Sequence, residues 1–267
     1  MFGRQKVATL VAEFLGTGIL TLAYLSVQRT NIGIPFFVGI GAAIAVALAV
    51  YFFGGNSGVH LNPALTIAVA TARKISVVMG ALYIVSQLLG AWAAYGVYRY
   101  FVTSTLPQIG GHYNAHVLFA EAVGALILAL AWGAAYFRNF ETGHRAFVMG
   151  AGYGLAIIFA GAVSTNYGVA NPAIALGIRA WDIWGSMGWG TYVLGPVLGA
   201  VIGVNLYSLL FAPTDKVSGA KAVVAEAGAA ASTSGTARST RSTRSSAKKT
   251  STRKAVAKKT TTTRRRS

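Results

Sequence analysis

Ser57-Gly58-Val59-His60-Leu61-Asn62-Pro63-Ala64 ends in a triplet that the chain uses again at Asn171-Pro172-Ala173, behind the lead-in Asn166-Tyr167-Gly168-Val169-Ala170. Asparagine is a good helix N-cap. Proline suits the first helical turn, where its missing N–H has no partner to lose. One such triplet marks an ordinary helix start. Two of them, in matching places in two halves of an apolar chain, carry more information.

The chain is apolar in one part and basic in another. Of 267 residues, 54% are hydrophobic and 11% charged, and there is no cysteine, which excludes a disulfide framework and thiolate chemistry. The net charge of +17 divides unevenly: residues 1–211 carry 9 Lys/Arg and 4 Asp/Glu, residues 212–267 carry 14 and 2. Six runs are long enough to cross a bilayer, at about 7–27, 34–53, 76–101, 117–137, 146–163 and 188–211. The first contains Glu13 and lacks a small-residue cleavage site, so it is expected to be a retained span rather than a signal peptide. Each Asn-Pro-Ala opens a shorter apolar piece, to about Ala72 and to about Arg179. These pieces are too short to span and are capped like helix starts, which predicts half-helices in re-entrant loops.

The halves repeat, about 7–101 and 117–211. Ala12-Glu13-Phe14-Leu15-Gly16 matches Ala120-Glu121-Ala122-Val123-Gly124, and Gln87-Leu88-Leu89-Gly90-Ala91 lines up with Pro196-Val197-Leu198-Gly199-Ala200. Glu13 precedes Asn62 by 49 residues and Glu121 precedes Asn171 by 50. Three spans per half is an odd number, so the second half enters from the opposite face, an inverted-topology repeat. Arg4, Lys6, Arg73, Lys74, Arg138, Arg145 and the tail fall on one side, Arg29, Arg99 and Arg179 on the other. The more basic side is expected to be cytoplasmic, with both termini inside a multi-pass cell-membrane protein.

Inversion points the two half-helices at each other. Their N-termini carry partial positive charge and unpaired N–H groups, so together they form a barrier to cations and protons near the midplane. The amides of Asn62 and Asn171 and the loop carbonyls offer donors and acceptors along a narrow path for neutral molecules. On these residues the sequence, over about 1–211, resembles the aquaporin or major intrinsic protein family. The resemblance implies an all-α fold of six tilted helices and two half-helices, one pore per subunit and a homotetramer. It implies that Glu13, Glu121 and His60 brace the loops, and that water and small neutral solutes cross a lipid bilayer without a cofactor.

One departure bears on selectivity. Water channels of the family place arginine directly after the second Asn-Pro-Ala; here it is Ile174. Arg179 lies about 7–8 Å further along the half-helix on another face. Counting as the family does gives Ala42, Phe159 and Gly168 for the other walls. Such a constriction is wide and apolar, and is expected to admit glycerol, urea or ammonia. Gly195, Gly199 and Gly203 recur every fourth residue and predict close helix packing. Trp92, Trp132, Trp181, Trp184 and Trp189 are expected to be lipid or interface anchors. Residues 212–267 are a Lys/Arg/Ser/Thr/Ala polymer with no core-forming pattern, expected to be a disordered cytoplasmic tail that contacts anionic lipid or nucleic acid. The alternative function is a membrane anchor, with a vestigial pore and this tail as its working part. The membrane part has no nucleophile–base set, nucleotide loop or clustered metal ligands, which argues against an enzyme. His112 and His116, four apart with no third ligand, are weak grounds for a metal.

Overall fold

The computed structural model of the chain describes residues 3–29, 34–103, 113–164, 168–181, 183 and 188–213. Among them every regular element is helical: α1 Arg4–Gln28, α2 Ile34–Phe53, α3 Pro63–Thr71, α4 Val77–Phe101, α5 Ala115–Phe137, α6 Thr142–Ser164, α7 Pro172–Gly177 and α8 Gly195–Leu210. Six helical stretches are long and apolar enough to cross a membrane, the last running through Trp189–Leu210. The expected six spans and two half-helices are therefore present. The tail from residue 214 onward, His112 and Trp184 lie outside the described residues.

The boundaries differ in three places, each for a local reason. The fifth span starts at Thr142 rather than 146, so Arg145 belongs to a helix and not to a charged loop. The second half-helix stops at Gly177, and Arg179 follows in left-handed backbone at φ 61°, exposed. The sixth span begins as a π-helical segment, Trp189–Leu194. Pro196 has no N–H to donate, so the regular i to i−4 ladder cannot pass through it, and the helix changes register there.

Glycine decides how the long helices approach. In lipid there is little hydrophobic drive between helices, so small residues that allow close backbone contact do the packing. Gly195, Gly199 and Gly203 of α8 lie against the carbonyls of Leu118, Ala122 and Leu126 of α5; a Cβ on Gly195 or Gly203 would sit 2.7 or 2.9 Å from its carbonyl, and one on Gly199 would collide outright. Gly90 of α4 meets the carbonyl of Phe14 on α1 in the same way, the first repeat's version of Gly199 on Ala122. On α6, Gly150 and Gly154 press on the carbonyls of Ala43 and Gly39 of α2.

Outside, α2 presents Phe36, Ile40, Ile44, Leu48 and Phe52 as one exposed stripe, the side expected to meet acyl chains. Inside, Glu13, Glu121, Gln87, Asn62 and Asn171 have no exposed surface. The half-helices tie the repeats together, because α3 packs on α8 and α7 packs on α4 and α1. Asn205 of α8 donates to the Thr71 hydroxyl of α3 at 2.8 Å.

Gly199→Ala should destabilise the bundle by about 1–3 kcal/mol through overpacking. Gly96 has no atom within 4 Å of where a Cβ would stand, and should gain about 0.5–1 kcal/mol as alanine. Thermal unfolding of the detergent-solubilised protein, followed by tryptophan emission, checks the opposite signs.

Candidate functional site

The two half-helices meet through their own caps. Asn62 and Asn171 stand at φ −155° and −153°, extended, as N-caps do. The Asn62 Oδ1 accepts from the N–H of Ala64 at 2.9 Å, and the Asn171 Oδ1 accepts from Ala173 at 2.9 Å. The amide ends cross over. Asn62 Nδ2 donates to the Ala170 carbonyl at 2.8 Å, and Asn171 Nδ2 donates to the Leu61 carbonyl at 2.8 Å. Each cap thus closes its own helix and binds the residue preceding the other cap.

Those preceding residues are strained. Leu61 and Ala170 have φ of 51° and 50°, where a side chain crowds the following carbonyl. Each is clamped from its other side by a buried glutamate. Glu13 accepts from the Leu61 N–H at 2.8 Å and the His60 N–H at 3.0 Å, and also from Ser57 Oγ and, at 2.7 Å, Gln87 Nε2. Glu121 accepts from the N–H groups of Val169 at 2.9 Å and Ala170 at 2.5 Å. A carboxylate at this depth is costly unless its oxygens are filled in this way.

A second pair of braces crosses between repeats. Tyr24 on α1 donates to the Gly168 carbonyl at 2.9 Å, and Trp132 on α5 donates to the Gly58 carbonyl at 3.2 Å. Tyr24 follows Glu13 by the same eleven residues that separate Trp132 from Glu121, a signal the sequence held. His60 lies between the rings of Tyr83 and Trp132, with Nδ1 3.2 Å from Thr66 Oγ1. Arg145 reaches the carbonyls of Gly54 and Gly58 at 3.5 and 3.4 Å. A cavity of about 610 Å³ opens beside it, lined by Gly54, Asn56, Tyr136, Asn139 and Phe140 among others.

One expectation needs correction. Trp132 is 2% exposed and Trp181, which donates to the Pro172 carbonyl at 2.5 Å, is also buried, so neither is a lipid anchor. Trp92, at 66% exposed, and Trp189 do face outward. Phe159 is half-buried and lies about 120° around α6 from Tyr153, whose hydroxyl meets Asn171 Nδ2. The buried residue on Tyr153's side of the helix, one turn on, is Ile157. Gly168 packs on the α6 backbone between Ile157 and Gly161. Ala42 and Ile174 are fully buried.

An all-helical membrane protein of two inverted repeats, joined by paired half-helices, defines the class. A family model described as Major intrinsic protein matches residues 4–207, and the chain belongs to that family, whose members are passive channels and not enzymes. The chain is 29% identical to human aquaporin-9 over 239 residues, covering 75% of this chain and 81% of the relative. It is 27% identical to glycerol uptake facilitator protein-like 6 of Lactiplantibacillus plantarum, covering 72% and 93%. The X-ray structure of the aquaglyceroporin from Plasmodium falciparum shares the fold, with a TM-score of 0.63 at 24% identity, over 78% of this chain and 98% of that one.

Glu121→Gln would set an amide N–H₂ against one of two buried backbone donors, at a cost of about 1–3 kcal/mol. Glu13→Gln should act alike on His60 and Leu61. A lowered thermal midpoint for each, with helical circular dichroism retained at low temperature, is the expected result.

Proposed function

We propose that the meeting point of α3 and α7 is the centre of a pore that passes water and small neutral solutes down their gradients. The observation that carries this is the crossed pair of asparagine amides, which holds two positive helix ends against each other. A cation or hydronium there would meet helix-end charge and lose hydration, while an uncharged molecule exchanges hydrogen bonds with amides and carbonyls. Asn62, Pro63, Ala64, Asn171, Pro172 and Ala173 form that centre, and Glu13, Glu121 and His60 keep it in shape.

At the outer constriction Ile174 replaces a cation with a buried aliphatic group, and Ala42 and Gly168 are small. A site without a fixed charge or its donors favours larger, less hydrated solutes, so glycerol, urea or ammonia should cross beside water. Relatives bearing the names aquaporin-9 and glycerol uptake facilitator fit this breadth. Stopped-flow light scattering on proteoliposomes, with an impermeant osmolyte and then with glycerol, tests it. Flux no greater than in empty vesicles for both would reject the pore. Ile174→Arg should lower glycerol entry about tenfold relative to water, the scale of one mismatched group in a filter. An unchanged ratio would remove Ile174 from the filter.

Contacts join the segments that carry the basic residues: Thr9 bonds the Asn56 carbonyl, Lys74 lies over Phe137, and Arg145 reaches Gly54. This supports a cytoplasmic placement of both termini in the cell membrane by the charge rule. A homotetramer suits the long apolar outer faces. Residues 1–211 form the channel domain, and 212–267 the basic tail, which should hold anionic lipid at the same membrane face. The whole chain should bind phosphatidylserine vesicles more strongly than protein ending at residue 213, with the difference fading at high salt. Equal binding would dismiss the lipid role and leave nucleic acid, or no partner, for the tail.

A further inference from the structure

Both hydrogens of the Asn171 amide are committed. One goes to the Leu61 carbonyl at 2.8 Å and the other to the hydroxyl of Tyr153. Tyr153 is 3% exposed, and its ring comes from α6, which the two half-helices do not belong to. It therefore arrives at the centre as a separate part.

The helix is built to aim it there. Tyr153 sits in Gly150-Ala151-Gly152-Tyr153-Gly154. Gly150 and Gly154 seat α6 on the carbonyls of α2, and Gly152 seats it on Ala131 of α5. With both flanks held at backbone distance, α6 cannot roll, and the phenol keeps its direction. The inner face of α2, the matching helix of the first repeat, carries Val38, Ala42, Ala45, Val46 and Ala49, with no hydroxyl. The hydroxyl is thus a device of one repeat alone and not a consequence of the duplicated fold.

On the reading that this centre is a pore, we propose that Tyr153 sets its permeability. The phenol hydroxyl takes the Asn171 hydrogen bond that a passing water or solute would use, so each molecule must displace it to cross. The ring also narrows the passage at the same level, which weighs more on glycerol than on water.

The test compares wild type with Tyr153→Phe and Tyr153→Ala in proteoliposomes at matched protein content. Tyr153→Phe keeps the ring and frees the donor. It should raise water permeability about fivefold, the scale of one buried neutral hydrogen bond, and lower the temperature dependence of the flux. Tyr153→Ala should raise water flux as well, and should raise glycerol entry by a larger factor. A side chain that only supported the fold would give losses of flux, not gains. Unchanged or reduced water flux in a well-folded Tyr153→Phe protein, with wild type conducting, overturns the proposal and leaves the pore intact. Should Tyr153→Ala fail to fold, Tyr153→Phe decides alone. If wild type and both folded variants match empty vesicles, the pore itself is rejected, and this inference with it.

Discussion

The crossed amides of Asn62 and Asn171 are the interaction on which the rest depends. Each half-helix must end in the middle of an apolar layer, where four N–H groups and the preceding loop have no water to bond. The asparagine settles the first helical donors with its oxygen and the opposite loop's carbonyl with its nitrogen. One side chain therefore serves two segments from two repeats. The cost is a left-handed residue just before each cap, at Leu61 and Ala170, which a free loop would avoid. Glu13 and Glu121 hold those residues in place, and this explains why a chain with only four acidic residues in its first 211 buries two of them.

Such a centre tolerates little movement, and the glycines are what confine it. Gly90 on Phe14 and Gly199 on Ala122 bring α1 to α4 and α5 to α8 at backbone distance. The glutamates ride on α1 and α5, and Gln87, which supports Glu13, rides on α4. Helix contact and loop geometry are therefore one problem. A helix displaced by a methyl group would move a carboxylate whose hydrogen bonds to the loop are 2.5–3.0 Å long. Tyr24 and Trp132 add a cross-link, since each repeat's first helix holds the other repeat's loop.

The spans, the half-helices and the duplicated motif are legible in the sequence because each has a local cause. Length of apolar run decides a span, and Asn-Pro decides a helix start. The glutamates are legible through their equal spacing to the asparagines. What the sequence leaves open is direction around a helix axis. Phe159 is reached by counting through a loop, and a shift of two residues turns a side chain by about 200°. Trp132 and Trp181 read as anchors because an aromatic in an apolar run fits either the lipid or the core, and composition does not say which face it is on. Arg145 reads as a loop charge because the helix start, four residues earlier than expected, has no strong cap signal. Tyr153 does not stand out among many aromatics, although Gly150, Gly152 and Gly154 around it mark a helix held close on two sides.

The two repeats are equal in what builds the site and unequal in what lines it. Caps, strained residues, glutamates and interhelical glycines all come in pairs. Tyr153 has no partner on α2, Arg145 braces only the first loop, and Ser57 and Gln87 support only Glu13. A duplicated frame must keep its paired parts, because each half-helix is completed by the other. The unpaired positions are released from that requirement. They are where the two halves of the proposed pore can differ, as at Tyr153, which holds the Asn171 amide and comes from one repeat alone. Since α3 and α7 enter from opposite faces, an asymmetry of side chains between the repeats is also an asymmetry along the proposed path.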